Sequence, residues 1–386
     1  MRVRIRHVRV VSPRDRWPID EVVIENGVIC PPDLHTVADR TLNGEGGWLV
    51  PGFVDVHVHG GGGADLCDGT TGALAMLCRT HLLHGTTTIL PTAMSASRDM
   101  LACVCHTYRT ARAKRLCPNA VGLHLEGPFL SPAMCGAQRT DLLREPDEED
   151  RAFLLDNRDI IRRVTAAPEV RGVPALAAAA AKAGIRFSMG HTNATYEQAE
   201  EACSDGNFTS VTHLYCATSG FHKVDGRVHV GVTQYAYADR DLFAELIGDG
   251  HHIPRQLLRL VMRLKGPDRV CLVTDAMRAA GTDVKESYLG PVDPRNRVII
   301  EDGVAKLPDR SSFAGSIGTM DNAFRFAVCD AGVAIDDAVR LTSLTPAELL
   351  GMDDRKGSIA PGKDADLVLM DRHFNVRAVF LAGQRV

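Results

Sequence analysis

Basic and apolar residues alternate through Met1-Arg-Val-Arg-Ile-Arg-His-Val-Arg-Val-Val11, the two-residue period of a β-strand. A second run, Glu21-Val-Val-Ile-Glu25, leads into Asn26-Gly27, a dipeptide that favours a tight hairpin. The far end of the chain has the same texture. Ala365-Asp-Leu-Val-Leu-Met370 and Ala378-Val-Phe-Leu381 are strand-like, with a turn at Ala382-Gly383. The pattern predicts that residues 1–50 and 360–386 pair into one small β-sandwich domain built from both chain ends.

From residue 51 the texture changes to apolar runs alternating with amphipathic or alanine-rich segments. Candidate strands lie at 50–58, 86–91, 120–126, 162–167, 185–190, 209–213, 243–248 and 269–274. Between them fall helical stretches such as 72–84, 97–116, 174–183, 195–205 and 254–264, the fourth with Asn193 or Thr195 as its cap. Eight strands joined by helical crossovers predict an α/β fold, a (β/α)8 TIM-type barrel over residues 51–359. Residues 277–312 break the rhythm, and Asn296-Arg-Val-Ile-Ile-Glu-Asp-Gly-Val304 reads as a β-hairpin insertion after the last barrel strand.

Composition narrows the function without naming it. Hydrophobic residues are 45% of the 386 and charged residues 24%, ample for a globular core. The net charge of −4 and the lack of a basic block give no reason to expect nucleic acid or an anionic membrane as partner. No apolar run is long enough to span a bilayer, and the N-terminus lacks the pattern of a signal peptide. Eleven cysteines without a C-x-x-C pair suggest reduced thiols and a cytoplasmic protein, with Cys67, Cys103 and Cys271 as small core residues.

Candidate chemistry collects at the strand ends, where a barrel of this type carries its active site. His57 and His59 end the first run two residues apart, so in a strand they project from one face. Glu126 ends the third, and Gly127-Pro128 breaks the strand behind it. His191, His213 and Asp275 end the fifth, sixth and eighth. A strand-end His or Asp taken singly can cap a helix or satisfy a loop, but six at matching ends point to a shared metal centre. Histidines and carboxylates without cysteine suit one or two divalent ions, Zn²⁺ or Fe²⁺. His57 and His59 are placed for one ion, His191 and His213 for a second, with Glu126 between them. Such ions bring the pKa of a bound water toward neutrality. Asp275 is then placed to take that water's proton and pass it to a leaving group, which makes this a hydrolysis site.

These residues resemble the amidohydrolase superfamily, and within it the N-acetylglucosamine-6-phosphate deacetylases. The resemblance runs along nearly the whole chain. It is carried by Pro51-Gly-Phe-Val-Asp-Val-His-Val-His-Gly60, His124-Leu-Glu-Gly-Pro-Phe129, Gly190-His-Thr-Asn-Ala-Thr195, Thr212-His-Leu-Tyr215, Asp249-Gly-His-His252, Leu272-Val-Thr-Asp-Ala276, and Ala314-Gly-Ser316 with Thr319-Met320. It implies a metal-dependent barrel enzyme, commonly a homodimer, that removes acetate from a 2-acetamido sugar phosphate. Under it Glu126, His191 and His213 match the principal metal ligands, and His57 and His59 the pair that holds a second ion. Asp275 matches the catalytic acid/base and His252 a histidine that touches the sugar. His251 has no such match and reads as loop surface.

Three departures fall on the substrate side. The family's Lys-Gly-Ala-His is Cys135-Gly-Ala-Gln138 here, so an amide stands where a histidine helps at the substrate carbonyl. Its His-Leu-Tyr-Asn-Ala is His213-Leu-Tyr-Cys216-Ala217, which replaces a phosphate-contacting amide by a thiol and leaves the Ala217 backbone N–H. Its Gly-Arg-Glu-Pro-Gly is Gly226-Arg227-Val228-His229-Val230, with Arg227 as the candidate phosphate arginine. The expectation is deacetylation of an N-acetyl amino sugar or its phosphate. Alternatives are a different, unphosphorylated N-acetylated amino sugar or conjugate, and more remotely a non-catalytic sugar sensor. Cyclic-amide hydrolysis of the dihydroorotase type is disfavoured, because no lysine ends any candidate barrel strand.

Overall fold

The computed structural model describes residues 1–14, 17–31 and 37–386. Its centre is a parallel eight-stranded sheet in sequential order. The barrel strands are Phe53–Val58, Thr86–Ala93, Leu123–Glu126, Ile161–Ala166, Arg186–Met189, Phe208–Val211, Phe243–Ile247 and Val270–Val273. Each candidate strand is present, with its ends within three residues of those expected. Helices cross over between them, and the polar residues that open them do so by capping. Thr70, Ser97 and Thr195 each accept a backbone N–H three residues on. Thr195, not Asn193, is therefore the cap, and Gln198 returns a bond to the Thr195 backbone to complete a capping box.

The barrel closes between its first and eighth strands, at the end where the ligand-type residues sit. The Asp275 N–H donates to the His57 carbonyl at 2.9 Å and the His59 N–H to the Ala276 carbonyl at 2.8 Å. Below that level the seam is made by a side chain. The wholly buried Asp55 carboxylate accepts from the Thr274 hydroxyl at 2.5 Å and the Thr274 N–H at 3.3 Å. Burial pushes its pKa up to about 6 against those bonds.

Outward-facing barrel residues pack on the helices in one large apolar core that includes Phe53, Val164, Phe187, Leu246 and Leu258. The helix Arg98–Ala113 shows how the core selects its face. Leu101, Val104, Cys105 and Tyr108 are buried at helical spacing, which turns Cys103 outward. Cys67 and Cys271 are buried as expected, but Cys103 is exposed and does not belong to the core.

The chain ends meet in a seven-stranded mixed sheet. Arg2–Val10 runs parallel to Arg40–Pro51, and Leu367–Met370 lies antiparallel on the other side of that strand. The long Arg40–Pro51 strand feeds through Gly52 into the first barrel strand. A Cβ at Gly52 would lie 2.0 Å from the Thr87 hydroxyl oxygen, so only glycine fits this passage. Ile5, Val22, Ile24, Leu49, Leu367 and Phe380 form this sheet's separate core. After the eighth barrel strand, Glu286–Tyr288, Arg297–Glu301 and Val304–Lys306 form an antiparallel three-stranded sheet at the barrel mouth.

Candidate metal centre

His57 lies in the first strand and His59 just beyond it, while Glu126 is the last residue of the third. His191, His213 and Asp275 each follow their strand by two residues. All three take a left-handed backbone, with φ of 47°, 29° and 46°. That conformation is uncommon for residues with a Cβ and concentrates at functional sites. It turns each side chain inward over the barrel axis. Gly190 permits the approach at His191, since a Cβ there would lie 2.7 Å from Thr165 and 2.8 Å from Thr212.

The six side chains are buried and converge in two groups, His57–His59–Asp275 and Glu126–His191–His213. Glu126 Oε1 lies 3.0 Å from His191 Nε2 and 2.9 Å from His213 Nε2, and its Oε2 lies 3.4 Å from His59 Nε2. Asp275 Oδ1 is 3.1 Å from His59 Nε2 and 3.5 Å from His57 Nε2. A tetrahedron of bonds about 2.0 Å long has edges of about 3.3 Å, the spacing of these atoms.

Tautomers agree with the spacing. Each imidazole has an acceptor behind its Nδ1: Glu245 for His57 at 3.3 Å, the Thr92 carbonyl for His59 at 3.1 Å, and the Met134 and Cys216 carbonyls for His191 and His213, each at 2.9 Å. With the proton on Nδ1, all four Nε2 lone pairs face the same small space. Four imidazole lone pairs and two carboxylates crowded together, with Gln138 donating to Glu126 alone, call for a cation. The field has the same sign. Burial opposes charge on His59, but hydrogen bonds to Asp275 and Glu126 outweigh it and lift its pKa to about 9. His57 is raised against burial by the same two carboxylates, while the surrounding imidazoles hold Glu126 and Asp275 below their ordinary values despite burial. The donor set therefore fits divalent metal.

Above this floor opens a cavity of about 350 Å³. Among the substrate-side candidates, Gln138, Cys216, Ala217 and His252 line it. Gln138 is drawn to the floor, its Nε2 donating to Glu126 Oε2 at 2.6 Å while its Oε1 accepts from the Ser95 N–H at 3.0 Å. The His252 ring is fixed by Asp249, whose Oδ2 lies 2.7 Å from Nδ1, and packs edge-on against Phe313 at 4.9 Å. Arg227 lies elsewhere, on an exposed hairpin of His222–Val224 and Arg227–His229, and does not line the cavity. His251 is exposed.

Several residues that matter here carried no signal of their role in the sequence, His124 among them although it opens one of the motifs of the resemblance. Ala133, Met134, Leu289 and Phe313 form the apolar wall. Glu245 and Arg163 lie beneath the floor, each at most 1% exposed. His124 packs edge-on against His57 with ring centroids 4.7 Å apart and is held between the Thr92 and Thr165 hydroxyls. Burial keeps it neutral, well below the usual histidine pKa.

The chain as a whole has counterparts among known proteins. The chain is 33% identical over 393 residues to N-acetylglucosamine-6-phosphate deacetylase of Lysinibacillus sphaericus, covering 98% of this chain and 96% of the relative. It is 32% identical to N-acetylgalactosamine-6-phosphate deacetylase of Escherichia coli O157:H7, covering 98% of each. The crystal structure of N-acetylglucosamine-6-phosphate deacetylase from Pasteurella multocida superposes with a TM-score of 0.91 at 28% identity, covering all of both chains. Residues 48–386 match the amidohydrolase family, a span that holds all six ligand-type residues and every side chain named around the cavity, and the chain belongs to that family.

Proposed function

We propose that this amidohydrolase removes the N-acetyl group from an amino sugar phosphate of the N-acetylglucosamine-6-phosphate kind, releasing acetate and the free amine. The observation that carries the reading is the convergence of four histidine Nε2 atoms and two carboxylates on the floor of a cavity large enough for one sugar. Divalent metal, Zn²⁺ or Fe²⁺ on this donor set, supplies Lewis acidity and an activated water when bound. His57 and His59 would hold one such ion and Glu126, His191 and His213 would be placed for a second.

The chain's own groups do the rest. Asp275, at the junction of floor and cavity, receives the proton of the attacking water and returns it to the departing nitrogen. Against burial, the neighbouring imidazoles hold its pKa below the ordinary carboxylate value, so it is ionised. His252, with Nδ1 committed to Asp249, offers Nε2 to the sugar. Gln138 orients Glu126 and stands where the resemblance puts a histidine that helps at the substrate carbonyl. The apolar wall of Met134, Leu289 and Phe313 limits water around the amide.

The phosphate is read by Arg227 and by backbone N–H groups such as that of Ala217. Arg227 stands away from the cavity of its own chain, so this reading takes the working form as a cytoplasmic homodimer in which Arg227 serves a neighbouring subunit. Among the described residues no helix is long and apolar enough to cross a membrane. A second reading, an unphosphorylated or otherwise different N-acetyl amino sugar, is favoured by Gln138 and Cys216 and by the absence of lysine and arginine from the cavity lining among the described residues. Amine release from N-acetylglucosamine-6-phosphate, N-acetylgalactosamine-6-phosphate and free N-acetylglucosamine, measured side by side on metal-loaded protein, decides between them. Preference for a phosphorylated sugar is expected. Preference for the free sugar would favour the second reading, and no turnover of any would sink both.

A further inference from the structure

The four site imidazoles are oriented by unlike acceptors. Neutral backbone carbonyls stand behind His59, His191 and His213, whereas a carboxylate, Glu245, stands behind His57. Glu245 lies in the seventh barrel strand and is wholly buried. Its other oxygen is ion-paired with the guanidinium of Arg163 from the fourth strand, itself 1% exposed. Arg163 also donates from Nη2 to the Ser188 hydroxyl at 2.7 Å and the Ser210 hydroxyl at 3.0 Å. A charged chain thus crosses the barrel interior from the fourth, fifth and sixth strands through the seventh, and ends on a single ligand in the first.

Such a pair gives the fold little. Two charges taken from water at full burial cost about as much as their attraction returns, and apolar residues of like size often serve as well. Its position suggests another purpose. An unneutralised guanidinium beneath His57 would repel a cation held on that ring, and His57 without an acceptor would be free to place its proton on Nε2. We propose that Glu245 is the positioning residue of the His57–His59–Asp275 group, fixing the His57 tautomer and cancelling the charge of Arg163. The Glu126–His191–His213 group, whose histidines rest on carbonyls, does not depend on it. The inference rests on the metal-centre reading, but on no particular substrate.

The test is Zn²⁺ binding to the metal-stripped full chain, followed by competition with a chromophoric chelator and by metal counted per chain. His57→Asn identifies the isotherm step that belongs to the His57 group. Glu245→Gln keeps the size of the side chain and a hydrogen-bond acceptor but removes the charge. It should weaken that step by about 10- to 100-fold, the usual effect of losing a partner behind a ligand, and leave the other step within about threefold. An unchanged isotherm overturns the proposal.

If Glu245→Gln does not fold, because it strands a buried guanidinium, the double variant Arg163→Met/Glu245→Leu carries the test with no charge left unpaired. It should lose affinity at the same step, since His57 then has no acceptor, and wild-type affinity there overturns the proposal. Binding is read without substrate, so the outcomes separate. A wild-type chain that binds ions but releases no amine refutes the deacetylase reading alone, and one that binds no divalent ion refutes both.

Discussion

The floor of the site and its wall are built in different ways. Floor residues sit in or within two positions of barrel strands, are buried, and have their ring nitrogens or carboxylates fixed by short contacts. Wall residues come from loops: Met134 from a short 3-10 turn, Cys216 and Ala217 from the loop after the sixth strand, and Phe313 from the segment after the mouth sheet. Strand ends hold a side chain to the precision that proton transfer and metal ligation demand. Loops do not need that precision to outline a sugar, and they tolerate replacement. The departures at Gln138 and Cys216 fall on loops and that at Val228 on an exposed hairpin, all outside the barrel strands, while all six ligand-type residues of the floor are present.

Stripping the floor should have the largest effect. Dialysis against a chelator is expected to bring amine release to background, and stoichiometric Zn²⁺ or Fe²⁺ to restore it. Appreciable activity in metal-free protein, verified by elemental analysis, would break the contrast at its strongest point. Asp275→Asn comes next. It preserves the shape of the group but cannot accept a proton, so kcat should fall about 10²- to 10⁴-fold, the range for loss of a general acid/base, with the sugar still bound. A rise in KM with kcat unchanged would instead make Asp275 part of the wall.

How far each region could be read from sequence follows the same division. The floor was legible because ligand-type residues ended apolar runs at matching points, and the strand period placed His57 and His59 on one face. The layer beneath was not. In Ile161-Arg-Arg-Val-Thr-Ala166 either arginine could face solvent by the period-two rule, and only the closed barrel places Arg162 outside and Arg163 inside. Glu245, between Ala244 and Leu246, gives no sign that its partner lies 82 residues earlier. On the wall, Gln138, Cys216, Ala217 and His252 were legible only through resemblance, and Ala133, Leu289 and Phe313 not at all, since they are ordinary apolar residues until the loops bring them together. Arg227 marks the limit of that resemblance, because its motif could be aligned but its distance from the cavity could not be foreseen.

Smaller effects probe the wall. Cys216→Asn introduces an amide donor on the cavity lining, where the thiol, its pKa pushed up to about 12 by burial, is neutral at physiological pH. One added hydrogen bond to a charged group stabilises by about 1.5–3 kcal/mol when well formed. KM for the phosphorylated sugar should therefore fall by about tenfold, with kcat little changed. Equal improvement for the free sugar would show that Cys216 does not face the phosphate.

Arg227→Ala should have the smallest effect, and its value lies in where that effect appears. The side chain is exposed and, among the described residues, is in no ion pair. A solvent-exposed contact to phosphate contributes about 1 kcal/mol or less, so KM for the phosphorylated sugar should rise by no more than about fivefold, and for the free sugar not at all. Because the contact is screened, the difference between wild type and variant should shrink as ionic strength is raised beyond 0.15 M, where the screening length is about 8 Å. If Arg227 serves a neighbouring cavity, mixing Arg227→Ala chains with catalytically dead Asp275→Asn chains should restore wild-type KM in the active subunits of mixed dimers. Those subunits would receive an intact Arg227 from their inactive partners. A KM that stays at the Arg227→Ala value in proven heterodimers would mean that Arg227 is an ordinary surface arginine or acts within its own chain, and that the wall reads phosphate through its backbone.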